Sequence, residues 1–247
     1  MIDLHCHILP HIDDGSPNTE VSVLMARMAF ESGIDAIVAT PHCNLLPDQP
    51  NYNGEELEQR LHRLSRRLRQ EQIPVQLLSG AEVFATWNLD RLLQQQKLPT
   101  LNHSRYLLLE FRFSMEGQDM NTLLETVQQF GLVPVIAHPE RYDAVQQDPS
   151  LAAYWFRHGY VLQGNKGSIL GKLGRGAYYA GRWLLEHGFY HVLATDAHHF
   201  EMRSPYMGEL MQELTTLCPM SYQKILLSEN PRRIVDDRPL CDPQTER

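Results

Sequence analysis

A chain of 247 residues, 43% hydrophobic and 21% charged, is long enough to bury one large core and too apolar to remain disordered. Its formal charge of -8 runs against nucleic-acid binding, which calls for a dense basic face. Cys6, Cys43, Cys218 and Cys241 form no C-x-x-C pair, so zinc-ribbon and thioredoxin-like readings have no support. The opening lacks the basic and apolar regions of a signal peptide, and no apolar run is long enough to span a bilayer. The expectation is a single domain over residues 1–247, cytoplasmic and without membrane insertion.

Short apolar runs predict buried parallel strands at 2–5, 36–40, 75–80, 106–110, 133–137, 159–163 and 191–195. Helical stretches fall between them at 20–32, 55–71, 120–130 and 177–187. Gly33, Gly131 and Gly188 follow three of these, where a helix C-cap favours a residue tolerant of positive φ. The basic run from Arg60 to Arg69 reads as the solvated face of the second helix. Alternation of strand and helix predicts a barrel or a doubly wound sheet.

Polar residues at the strand ends carry the chemical signal. His5 and His7 are two apart, so in a strand both imidazoles face one side. Asp13-Asp14-Gly15 is a turn that brings a carboxylate back over them. Later strands run into His42, Glu82, Glu110, His138 and the Asp196-Ala197-His198 pair. A single such Glu is equally an edge charge or a helix cap, and a single His equally a surface or core residue. Together, polar groups at six of the seven strand ends would repel or go unpaired unless they shared cations at the barrel mouth. Nine candidate ligands, His5, His7, Asp14, His42, Glu82, Glu110, His138, Asp196 and His198, imply two or three ions. Imidazole and carboxylate suit Mn²⁺, Fe or Zn²⁺, and Mg²⁺ less well. No metal role is assigned to His11, His62, His103, His158, His187, His191 or His199.

Arg141 and Arg203 flank these positions, where each would grip a phosphate or else pair with a neighbouring carboxylate. The glycine-rich stretch from Gly164 to Gly176 reads as a substrate-side loop or a flexible connection. Cys241 and Arg247 have the C-x5-R spacing of a cysteine phosphatase, but Asp242 and Glu246 would repel phosphate and Pro243 removes an amide donor.

The motifs Ile2-Asp-Leu-His-Cys-His7, Thr40-Pro-His42, Gly80-Ala-Glu82, Ala137-His-Pro-Glu-Arg141, Thr195-Asp-Ala-His198 and Asn230-Pro231 resemble, in order and across nearly the whole chain, the polymerase-and-histidinol-phosphatase (PHP) superfamily. The nearest resemblance is to its bacterial protein-tyrosine phosphatases of the CpsB/YwqE type. It implies an irregular TIM-like (β/α)7 barrel with up to three ions, Mn²⁺ foremost. One ion would be held by His5, His7, Glu82 and Asp196, a second by Glu82, Glu110 and His138, and a third by Asp14, His42 and His198, with Asp13 an alternative to Asp14. Cys43 stands where many relatives carry a second His, a departure that bears on substrate contacts. The implied substrate is an autophosphorylated bacterial tyrosine kinase controlling polysaccharide export. Alternatives are a phosphatase for a small monoester such as histidinol phosphate, or a non-catalytic phosphotyrosine-binding module.

Overall fold

The apolar runs become nine short parallel strands in a computed structural model that describes residues 1–45 and 50–245. They are β1 (Ile2–Cys6), β2 (Ala36–Ala39), β3 (His42–Cys43), β4 (Gln76–Ser79), β5 (Glu82–Phe84), β6 (Tyr106–Glu110), β7 (Val133–Ala137), β8 (Val161–Asn165) and β9 (Val192–Ala194). The predicted strands 36–40 and 75–80 are each followed on the same stave by a second short strand. Thr40-Pro41 separates β2 from β3, and Gly80-Ala81 separates β4 from β5. Pairing β1-β2-β4 and β3-β5-β6-β7-β8-β9 therefore describes seven staves. The ring closes where Cys6 bridges Ala197 in parallel, with Asp196 N–H donating to His5 O at 2.8 Å and His7 N–H to Ala197 O at 2.8 Å. Below this seam the buried Asp3 carboxylate accepts from Thr195 N at 3.0 Å and Thr195 Oγ1 at 2.5 Å. The result is the irregular (β/α)7 barrel.

Helices α1 (Thr19–Glu31), α2 (Glu55–Gln70), α3 (Leu89–Gln94), α4 (Gly117–Gln129), α5 (Asp143–Gln147), α6 (Ser150–Arg157), α7 (Lys166–Ile169) and α8 (Arg175–Glu186) follow the strands. α9 (Gly208–Leu217), α10 (Met220–Lys224) and α11 (Asn230–Val235) complete the chain. In α2, Leu57, Leu61, Leu64 and Leu68 recur at three- and four-residue spacing and are buried, leaving the arginines outside. Asn18 caps α1 by accepting from Val21 N at 2.9 Å. Gly33, Gly131 and Gly188 take positive φ after α1, α4 and α8, as expected. Gly159 does the same after α6, with φ 79°, so β8 begins two residues later than the predicted strand. The glycine-rich stretch is not a loose connection: Gly164 and Asn165 finish β8, and the Asn165 side chain caps α7.

Apolar side chains form two layers. One cluster fills the space between strands and helices, and a smaller one fills the barrel with Ile2, Leu4, Val38, Leu78, Leu108, Val135, Val161 and Val192. Leu101, Ile234 and Val235 join that inner cluster, and polar side chains occupy the opposite, C-terminal mouth.

Candidate metal centre

A bulge in β1 sets up the mouth. Asp3 pairs with Ile37 and Cys6 with Ala39, so three steps along β1 match two along β2. Ile2 and Leu4 face the barrel interior, whereas Cys6 packs under the helices. The extra residue reverses the alternation and turns both His5 and His7 inward, with their Nε2 atoms 3.2 Å apart. β3 delivers His42, β5 delivers Glu82 and β6 delivers Glu110, all to the same end. His138 and Asp196 leave β7 and β9 at φ 35° and 50°, left-handed conformations that cost about 1 kcal/mol or more in a non-glycine residue and concentrate at functional sites.

All the candidate ligands but His138 converge in three overlapping groups, each with its donor atoms within 4.8 Å of one another: His5, His7, Glu82 and Asp196; His7, Asp14, His42 and His198; and His42, Glu82 and Glu110. Glu82 is the hub. Its Oε2 lies 3.2 Å from His5 Nε2, His7 Nε2 and His42 Nδ1, and its Oε1 lies 2.9 Å from His138 Nε2. His138 Nε2 is also 3.7 Å from Glu110 Oε1.

A second layer aims the rings. His5 Nδ1 pairs with Gln163 Oε1 at 2.8 Å, and His7 Nδ1 with Asp13 Oδ2 at 2.8 Å. Both imidazoles thereby present Nε2 to the cluster. Asp13 also accepts from His42 N and Gly15 N, each at 2.9 Å. A Cβ on Gly15 would lie 2.3 Å from His7 O, so only glycine lets this turn pass over His7. Asn165 Nδ2 donates to Asp196 Oδ2 at 2.6 Å. Buried Glu140 accepts from Asn165 N at 3.0 Å and Tyr190 OH at 2.8 Å, fixing the turn between His138 and Arg141. Lys166 Nζ donates to Ser204 O and Tyr206 O, holding the loop that carries Arg203.

Asp14, not Asp13, faces the open side: its Oδ1 lies 3.5 Å from both His42 Nε2 and His198 Nε2. Arg141 and Arg203 reach the same carboxylate oxygen, Asp196 Oδ2, at 3.3 and 2.5 Å, and both line a cavity of about 340 Å³ over the cluster. Cys43 turns away from this cavity into the core, so position 43 makes no wall of it. None of the seven histidines left without a metal role joins the three groups. Cys241 packs against Asn230, which donates to His191 O below β9, at the end of the barrel opposite the mouth. Glu246 and Arg247 lie outside the described residues.

The charges are matched to cations. Burial opposes ionisation of Glu82 and Asp196, but the His5 charge and the hydrogen bonds from neighbouring imidazoles outweigh it and hold both carboxyls well below their ordinary range. Glu110 is pushed up to about 9 by burial and by the Glu82 and Asp196 charges, and burial takes His138 down to about 4. With protein groups alone, one carboxyl must take up a proton and His138 must stay neutral. His42 Nδ1, Asp196 Oδ1 and His198 Nε2 are buried without a hydrogen-bond partner among the described residues, as acceptors aimed at a cation would be. The donor set fits a cluster of divalent ions.

Residues 1–236 match the family described as capsular polysaccharide synthesis, CpsB/CapC. The tyrosine-protein phosphatase YwqE of Bacillus subtilis is 35% identical over 216 residues, 87% of this chain and 84% of its own. The tyrosine-protein phosphatase CpsB of Streptococcus pneumoniae is 29% identical over 244 residues, 96% of this chain and 99% of its own. Among solved structures, those of YwqE and CpsB as metal-dependent tyrosine phosphatases include a chain that superimposes with a TM-score of 0.89 at 31% identity, covering 99% of this chain and 98% of that one. A variant of the organophosphorus hydrolase of Deinococcus radiodurans, at 12% identity and a TM-score of 0.61, shares the fold. Similarity running from the first strand past the last, over the whole barrel that gathers the cluster, makes this chain a member of the CpsB/CapC family.

Proposed function

We infer that this chain is a metal-dependent protein-tyrosine phosphatase. The carrying observation is the shared use of Glu82, His7 and His42 by three donor groups beneath a cavity whose wall holds two arginines. The names of its relatives support phosphotyrosine as the substrate class. Their family description, capsular polysaccharide synthesis, favours an autophosphorylated tyrosine kinase of polysaccharide export as the natural phosphoprotein. In this reading His5, His7, Glu82 and Asp196 hold one ion, Glu82, Glu110 and His138 a second, and Asp14, His42 and His198 a third. Mn²⁺ is the expected occupant, with Fe, Zn²⁺ or Mg²⁺ as alternatives. The cytoplasm is the expected compartment; no described helix is long and apolar enough to cross a membrane.

Bound divalent ions supply Lewis acidity and lower the pKa of water toward neutrality. The chain's own residues supply the rest. Gln163 and Asp13 keep the first two imidazoles aimed, so their cost of ordering is met in folding. Arg141 and Arg203 trade part of their contact with Asp196 for phosphoryl oxygens and steady the charge that spreads over them. A phenolate with pKa about 10 departs more readily than an alkoxide, so a general acid contributes little. The cysteines take no part: Cys6 and Cys43 are buried, and burial pushes the Cys218 thiol up to about 11.

The test is release of inorganic phosphate from a phosphotyrosine peptide and from histidinol phosphate, with and without chelator, beside metal analysis. Faster turnover of histidinol phosphate would move the chain to the small-monoester class. Peptide binding without turnover in metal-loaded protein would make it a binding module.

A further inference from the structure

Metal ions and arginines recognise any phosphate monoester, so selection of a tyrosine ester needs a separate feature. Phe113 follows β6 at the mouth, keeps 38% of its surface exposed and lines the cavity. Its ring meets that of His138 edge-on, with centroids 6.0 Å apart at 64°. The Arg141 guanidinium carbon lies 4.5 Å from the ring centroid. The backbone on either side is pinned: Asp143 N–H donates to Phe113 O at 2.9 Å, and Phe111 N–H to Tyr142 OH at 3.2 Å. Leu45, also 38% exposed, and Phe84 face the same space.

We propose that Phe113, with Leu45 and Phe84, forms an aryl subsite that receives the phenol ring of phosphotyrosine and makes the centre selective for aryl over alkyl phosphates. The proposal rests on the phosphatase reading and adds the residues that set its specificity. A large apolar side chain left exposed beside a charged cluster gains burial when a second ring covers it. Because Phe113 is already held in place, little ordering is lost as the ring arrives. Arg141 ties this wall to the phosphoryl site: one guanidinium packs on the Phe113 ring and also reaches Asp196. A substrate whose ring rests on Phe113 therefore has its phosphate within the arginine's reach.

The test is equilibrium binding of phenylphosphonate and methylphosphonate, neither of which is hydrolysed, to metal-loaded protein. Wild-type protein should bind the phenyl compound about three- to tenfold more tightly, the range expected for an aromatic contact. Phe113→Ala should remove most of that preference while the methylphosphonate constant and the metal content stay put. Phe113→Leu, which preserves apolar bulk and serves if the alanine variant fails to fold, should lie between. Equal weakening of both phosphonates would overturn the proposal and make Phe113 a support for Arg141. A preference undiminished in Phe113→Leu and Phe113→Ala would overturn it outright. Absence of phosphotyrosine turnover in wild-type protein would sink the phosphatase reading, and the phosphonate comparison would still judge the subsite.

Discussion

Replacing Asp13 separates the aiming of a ligand from ligation itself. Its carboxylate accepts three hydrogen bonds, from His7 Nδ1 at 2.8 Å and from His42 N and Gly15 N at 2.9 Å each. Burial alone would raise its pKa; the His7 bond and charge outweigh burial and keep it below the ordinary carboxylate value. Asp13→Ala leaves three donors without an acceptor, and His7 belongs to two of the three donor groups. Loss of an orienting partner typically weakens metal binding about 10- to 100-fold, or about 1.4–2.7 kcal/mol. Unpaired buried donors should cost the apo fold a further ~3 kcal/mol. Asp14→Ala should behave differently. Its side chain is 69% exposed, so the apo protein should keep its stability within about 0.5 kcal/mol while the group around His42 and His198 weakens. Calorimetric titration of apo protein with Mn²⁺, alongside thermal unfolding of the apo forms, reads both effects. Wild-type affinity in Asp13→Ala, or matching apo destabilisation in the two variants, would refute the division of labour between these neighbours.

Four further outcomes are expected. Strong chelation should abolish phosphate release and Mn²⁺ restore it, with thiol alkylation having little effect; full activity in metal-free protein would contradict the centre. Glu82→Gln and Asp196→Asn should each lose bound metal and most turnover while circular dichroism shows the barrel intact, since its core lies below the mouth. Arg141→Ala and Arg203→Ala should retain metal and lose about ten- to a hundredfold in kcat/KM, with Lys recovering only part; metal loss in Arg203→Ala would reassign that residue to the support of Asp196. His191 Nδ1 accepts from Leu162 N at 3.1 Å, and burial pushes the imidazole down to about 3 against about 6.5 unfolded. Below pH ~6.5 the unfolded chain binds the extra proton, so stability present above that pH is lost as pH falls toward 3, by up to ~1.4 kcal/mol per unit. His191→Gln should flatten this slope in unfolding curves, and an unchanged slope would dismiss the residue as its source.

Short continuous apolar runs and the polar residues that end them made the staves and the mouth readable, because a parallel strand covered on both faces is apolar until it reaches the open end of the barrel. The short strands β3 and β5 were less legible, since each opens on a polar residue, His42 or Glu82, and is too brief to read as an apolar run. The β1 bulge left no mark at all. His5-Cys6-His7 shows that the two imidazoles share a side, but the inward choice of side comes from the register against β2, a long-range property. Asp13 and Asp14 are indistinguishable as residue types, and only the course of the turn over His7 separates their duties. Gln163, Asn165, Glu140 and Lys166 fall within motifs or the glycine-rich stretch, but they act on partners more than twenty residues away, so the local pattern gave them no role. Phe113 looked like one more apolar residue until its exposure beside the cavity was visible.

The seam between the first and last staves has a temporal meaning. Thr195 and the Asp3 carboxylate it meets are 192 positions apart, and the paired side chains of His5 and Asp196 stand on opposite banks of the same join. During synthesis the N-terminal imidazoles emerge early and wait through six further staves for the carboxylate that completes their group. A half-made chain thus carries these two imidazoles without the last carboxylate of their group. An ion held by both banks would be captured only once the ring is whole, and would then act as a clasp, fastening the barrel across its longest loop.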